Sequence, residues 1–355
     1  MEIREIHNYL IDIENQMINL LNSRDLLQIN FDSCSLTGDI RIYHSDLPFP
    51  RLEQSNNDLF DLNQMKLIYQ LKTFSNETSP LGVSSYRTTN SNSSQIFVTC
   101  DQRSTLIIFD FDEYLIKRIN IEPSFDFLND IIWCDYLNLF LLAGSALFSF
   151  NYLTNQIHQI SICSNPQIWS ITTHKYNSMS LIDFSNQNKT LNCRTSLYIC
   201  YIMGEFPLIE HRSLPSFNLI ESFSRLQVLP TENASTIEIG RTIRTNGSCL
   251  AITVRNLHTG EWRVDLFDFD LQRIIQGEIL GYAIDQDYWC CSLTSYRSSH
   301  WLIMNNTSQP ETLTLINRYG QIQQQIERQG FNLVVCQDNR HLVIKDRHGL
   351  AIFQI

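Results

Sequence analysis

Glycine is scarce in this chain, 12 among 355 residues, and no glycine-rich phosphate loop or dinucleotide fingerprint occurs. A G-x-S-x-G nucleophile elbow and an H-E-x-x-H metal helix are also missing, which removes common signs of a serine hydrolase or a zincin. Positive charge is short: 26 Lys and Arg stand against 37 Asp and Glu, a formal net charge of −11. Nucleic-acid affinity rests on Lys and Arg releasing counterions from phosphate, so the charge balance argues against nucleic acid as a partner. No apolar run approaches the ~18 residues that cross a membrane, and no charged-then-apolar leader opens the chain. The expectation is a soluble, cytoplasmic protein with no membrane partner. Its ten cysteines form no C-x-x-C pair, and adjacent Cys290 and Cys291 are poorly placed for joint zinc ligation. Reduced thiols buried as small hydrophobes fit that compartment. The sequence asks for no metal and no cofactor.

What is present is a chain with 43% hydrophobic and 18% charged residues, the composition of a globular protein with a polar, amide-rich surface. Near the start, Ile3, Ile6, Leu10, Ile13, Met17 and Leu20 fall in the 3–4 spacing of a heptad seam, predicting an amphipathic helix over residues 1–29. Two readings follow: a short coiled coil that makes a homo-oligomer, or a helix packed on its own chain, which the extra apolar Ile11 and Ile18 would favour. Residues 30–64 read as a connector.

From residue 65 to 355 short β-rich runs alternate with Asn, Ser, Gly and Asp, the signature of an all-β body. The tetrapeptide FDFD appears twice, in "TLIIFDFDEYLIKRINI" and "RVDLFDFDLQRIIQGEI", each time as a strand, an Asp, a short turn and a second strand. A calcium loop is the alternative reading, since Asp110/Asp112 and Asp268/Asp270 have the first two ligand spacings of an EF-hand. It fails on the sixth position, which is not Gly, and on the twelfth, which is Ile121 or Ile279. Aspartate bonding to its own turn backbone is the simpler explanation.

Comparable segments begin near Thr105, Ala146, Ser196, Arg263, Thr312 and Gly349, at steps of roughly 40 to 65 residues, close to the ~40 to 50 of propeller blades. With two strands before each and one after, the unit has four strands, and six blades result; seven follow if the stretch 214–235 hides strands. The last unit ends one strand short, and residues 65–74 precede the first unit unpaired, so their pairing would close the ring. On these segments the chain resembles the β-propeller superfamily, nearer to NHL-like members than to WD repeats. A coiled coil followed by a six-bladed propeller also resembles the C-terminal half of tripartite-motif proteins, whose zinc-binding spacings are missing here.

Candidate site residues follow from that frame. Trp133, Trp169 and Trp289 fall in or beside predicted innermost strands, as core filler or as contact anchors. His174 and His211 lie near predicted loops. Arg241 and Arg244 belong to an Arg-rich stretch interleaved with carboxylates, a mixed-charge surface or a local basic patch. The function these features favour is a noncatalytic scaffold that binds a protein or peptide on a propeller face. A metal-dependent, lactonase-like hydrolase in the channel and an RNA-binding propeller are the alternatives.

Overall fold

The computed structural model describes residues 60–72, 83–87, 95–101, 105–113, 115–120, 128–160, 167–175, 195–201, 208–230, 237–282, 292–297, 299–305, 310–337, 339–346 and 348–355. The predicted N-terminal helix, with Ile3, Ile6, Leu10, Ile13, Met17 and Leu20, lies outside the described residues, as does Trp289. Leu59–Ile355 is one compact unit.

Its first strand, β1 (Lys66–Lys72), belongs to the last sheet. Blade 1 consists of β2 (Val83–Arg87), β3 (Gln95–Asp101), β4 (Thr105–Asp110) and β5 (Leu115–Asn120). In blade 2 the strands are β6 (Leu128–Cys134), β7 (Leu139–Gly144), β8 (Leu147–Asn151) and β9 (Gln156–Ile160). Blade 3 holds β10 (Ile168–Lys175), β11 (Thr195–Tyr201), β12 (Ile209–Leu214) and β13 (Leu219–Phe223). Blade 4 has β14 (Glu238–Thr245), β15 (Leu250–Asn256), β16 (Glu261–Phe267) and a divided fourth strand, β17 (Arg273–Ile275) and β18 (Ile279–Tyr282). Blade 5 contains β19 (Ser292–Tyr296), β20 (His300–Asn305), β21 (Thr312–Asn317) and β22 (Ile322–Glu327). In blade 6, β23 (Asn332–Val335), β24 (His341–Asp346) and β25 (Gly349–Gln354) are completed by β1, which pairs antiparallel with β25 from Lys66↔Gln354 to Lys72↔Gly349. These six antiparallel sheets are a six-bladed β-propeller.

Burial explains the strand sequences. Second and third strands are covered on both sides by neighbouring blades, so β11 and β15 are buried along their whole length. Fourth strands face water on one side, and β22 alternates half-buried with exposed residues. One apolar cluster fills each of the six seams between blades, for example Phe140, Phe150 and Leu106 between blades 1 and 2. Leu62 plugs the seam of blades 5 and 6, where its N–H donates to Gln324 Oε1 at 2.7 Å.

Blade 3 departs from the sequence reading. The segment beginning near Ser196 is the second strand of its sheet, not the third, and Ile209–Leu214 is the third. Two buried strands in succession carry no pattern that tells inner from outer, and the polar insertion 185–194 falls between first and second. The stretch 214–235 supplies the fourth strand, β13, and a one-turn helix α1 (Arg225–Val228) with a capping box on Ser224. No seventh sheet exists among the described residues.

The FDFD repeat is a turn. Asp110 Oδ1 accepts the N–H groups of Asp112 and Glu113, both at 3.1 Å. Asp268 Oδ1 does the same for Asp270 at 3.0 Å and Gln272 at 2.8 Å. Asn151 and Asn317 occupy the same place in blades 2 and 5, also accepting bonds from their own turns. The first-to-second and third-to-fourth turns of an antiparallel blade share one side of the disc, here called the turn face.

Candidate interaction face

The innermost strands of blades 2, 3 and 4 each lose register once near their start, between Leu128 and Asp130, Ile168 and Ser170, and Gly240 and Ile243. A bulge re-aims the side chains beside it. Asn129, at the first, donates Nδ2 to Ile168 O of the next blade at 2.7 Å. Trp169 and Arg241, at the second and third, come together, with the guanidinium 5.3 Å from the ring centroid. Both are buried, at 8% and 1% exposure, so these two candidates join blades 3 and 4 from inside.

Arg244 reaches farther. Its guanidinium crosses the inner strand of blade 3 to Asp130 of blade 2, with Nη2 to Oδ1 at 2.6 Å and Nη1 to Oδ2 at 2.7 Å. On the way Nη1 meets Ser170 Oγ at 2.8 Å and Ile171 O at 3.0 Å. Asp130 takes further bonds from Ser170 Oγ and from the N–H groups of Ile131 and Ile171. A buried ion pair is tolerable only when its other lone pairs and protons are satisfied in this way. Blade 4 has a second such network: Arg263 is bidentate to Glu238 at 2.7 and 2.8 Å and also bonds Asp265, which Arg273 meets at 3.2 Å.

His174 and His211 stand on the two strands that flank β11. His174 stacks on Phe269 of the second FDFD turn, centroids 3.6 Å apart, while Tyr198 stacks on His211 and donates its hydroxyl to Phe269 O at 2.8 Å. Burial pushes His174 down to about 4, with His211 adding to the shift. His211 is also lowered by burial, against the pull of Asp270. The 2.7 Å contact of His211 Nε2 with Ser196 Oγ has the geometry of a nucleophile and its base. Ser196, however, is 2% exposed, closed to a substrate carbonyl.

Buried thiols are equally withdrawn: burial pushes Cys200 up to about 12 and Cys249 up to about 11, far from thiolate chemistry at neutral pH. Among the described residues no group of three or more His, Cys, Asp or Glu is placed to hold a metal ion, and no helix is long and apolar enough to cross a membrane.

Trp133 differs from the other candidates in standing among exposed apolar residues of the turn face. It stands one residue before the end of the inner strand of blade 2, half-buried, packed edge-on against Phe140 and Tyr152 at 4.9 and 6.3 Å. Its indole N–H donates to Asp135 Oδ1 at 2.7 Å, and Gln337 of blade 6 reaches the same oxygen at 3.4 Å. In the turns on either side of this ring, Tyr136 is 45% and Leu153 68% exposed. Sequence reasoning named Trp133 and missed Asp135, Tyr136 and Leu153; an Asp two residues beyond a Trp at a strand end was the available signal.

Six antiparallel sheets in a ring closed by its own first strand define the class as a β-propeller. No family model matches the chain, and no curated protein matches it. Among solved structures it is similar to the WD40 domain of Neurospora crassa Pan2, at 10% identity over 77% of this chain and 87% of that one, with a TM-score of 0.47.

Proposed function

We propose that this protein is a noncatalytic binding propeller that holds a protein or peptide partner on the turn face of blade 2. The observation that carries the reading is the Trp133 platform. A ring fixed by the Asp135 bond and by two aromatic neighbours, flanked by exposed Tyr136 and Leu153, is a preorganised apolar anchor site of the kind that dominates protein interfaces. Support also comes from the charges near the axis: Asp130 and Glu238 are each held bidentately by an arginine, an arrangement that joins strands. The NHL-like layout and valency through the heptad residues of the N-terminal stretch belong to the same proposal.

Site-specific photo-crosslinking tests it. A benzophenone side chain at position 153 of the full chain should trap a discrete partner in cells, and the same group at Leu257, 46% exposed in a second-to-third turn on the other side, should not. Tyr136→Ser should weaken the trapping at 153. Equal trapping from both faces, or none from 153, would sink the reading.

A further inference from the structure

Blade 5 keeps the recurrent turn but changes its chemistry. Where blades 1 and 4 have Asp-Phe-Asp, blade 5 has Asn317-Arg318-Tyr319. The scaffold is the same, with Asn317 Oδ1 accepting the N–H groups of Tyr319 at 2.9 Å and Gln321 at 3.1 Å. Strand register sets His300 opposite Tyr296 on one side and opposite Asn317 on the other. The residues that follow those two partners are Arg297 and Arg318, so two arginines leave their turns beside one imidazole. Tyrosines orient them: Arg297 lies over the Tyr296 ring at 5.1 Å, and Arg318 lies over Tyr319 at 4.9 Å with Nη2 donating to its hydroxyl at 2.8 Å. Burial and both guanidiniums lower His300. Ser299 Oγ is 2.9 Å from His300 Nδ1.

From this geometry we infer that Arg297, His300 and Arg318 form a binding site for a phosphate group carried by a protein partner. The inference rests on the proposed protein-binding function and names the chemistry of a second contact on the same face. Two guanidiniums carried by the two turns that flank His300 suit a tetrahedral dianion better than a single planar carboxylate. A polynucleotide fits poorly, because Asp110, Asp112, Glu113, Asp268 and Asp270 occupy equivalent turns on that face and the chain carries a net charge of −11. A compact anion touches blade 5 alone and avoids that repulsion.

The test is an NMR titration of the full chain with inorganic phosphate at constant ionic strength, then with O-phosphotyrosine and a twelve-nucleotide single-stranded RNA. The His300 ring resonance, assigned with His300→Gln, should move saturably with phosphate and more tightly with O-phosphotyrosine. In the Arg297→Gln/Arg318→Gln variant the affinity should fall at least about tenfold, since both charge-assisted contacts to the phosphate are lost. A Tyr136→Ser/Leu153→Ser variant should keep the full phosphate response. A wild-type response no larger than that to chloride, an unaltered response in the arginine variant, or RNA binding tighter than O-phosphotyrosine would each overturn the inference. Partner trapping at position 153 that persists without a phosphate response leaves the blade 2 function standing and removes this site.

Discussion

Phe269 lies flat on His174, ring centroids 3.6 Å apart and planes 19° from parallel, and through that contact the second FDFD turn fastens blade 4 to blade 3. The first FDFD turn makes the corresponding contact one seam away from the chain ends. Phe111 lies 6.4 Å from Tyr69 of the closing strand and 5.6 Å from His341, both in blade 6. Each tetrapeptide thus has a division of labour. The first Phe (Phe109 or Phe267) is fully buried in its own strand, the first Asp makes the turn, and the second Phe reaches back to the preceding blade.

Phe269→Ala should therefore destabilise the propeller by about 2 kcal/mol, below the ~3–5 of a fully buried Phe because this ring is partly exposed. Phe269→Leu should recover part of the loss. Urea unfolding measures both, and a change under 0.5 kcal/mol for Phe269→Ala would remove the clasp from the account.

A pH dependence follows from the same contact. His174 sits at about 4 in the fold, against ~6.5 in an unfolded chain. Between these values the unfolded state binds the proton first, so stability is complete above pH ~6.5 and falls as pH drops toward 4. The loss should be about 2 kcal/mol after allowance for solvent relaxation, with lowered His211 adding to it. His174→Phe keeps a ring against Phe269 and should flatten this part of the profile. Identical slopes for the two proteins between pH 6.5 and 4.5 would refute the assignment.

Blade number was legible because a single residue recurs at a fixed point: an Asp or Asn ending the third strand, whose side chain accepts turn N–H groups in blades 1, 2, 4 and 5. Blade 3 lacks that mark. Its third strand ends at Leu214, so nothing in the sequence tells its third strand from its second. The partner of Arg244 was out of reach for a different reason. Asp130 is 114 residues away, two blades back along the ring, and the inner strands of blades 2, 3 and 4 carry a bulge beside this contact. Arg-rich stretches such as 241–273 look like surface in a sequence, because local charge counts do not show that Glu238, Asp265 and Asp130 are aimed inward.

Because Asp130 and Arg244 are buried at 3% and 13% side-chain exposure, removing one leaves the other uncompensated. Asp130→Leu and Arg244→Met alone should each cost about 3–5 kcal/mol, and the double variant should cost clearly less than their sum. Additive losses in a double-mutant cycle by urea unfolding would show that the pair does not act as a unit.

Glycine, rare overall, is indispensable at one seam. A Cβ on Gly277 would stand 2.0 Å from Val264 O, and one on Gly320 would stand 2.9 Å from Gly277 Cα. Here the backbones of blades 4 and 5 meet directly, with Glu278 N–H donating to Gly320 O at 3.0 Å, and the fourth strand of blade 4 divides at that point. Gly277→Ala should cost about 3 kcal/mol, the upper range for forced overpacking. Gly247→Ala, with open space around it, should cost about 1 kcal/mol, from its positive φ alone. Equal thermal midpoints for the two variants would contradict the close approach.

Closure of the ring makes the last prediction. β1 supplies the outer strand of blade 6 and buries Leu71 in the seam with blade 1, while Leu62 just before it fills the seam with blade 5. A chain starting at Leu59 keeps all three features. One starting at Thr73 leaves the backbone groups of Gly349–Gln354 unpaired along an open edge, the template for intermolecular pairing. The first should unfold cooperatively in urea and sediment as a discrete species; the second should aggregate or lose at least about 4 kcal/mol, since it forfeits two buried leucines and a full strand ladder. Comparable sedimentation and urea midpoints for the two chains would mean that the propeller holds together without its molecular clasp.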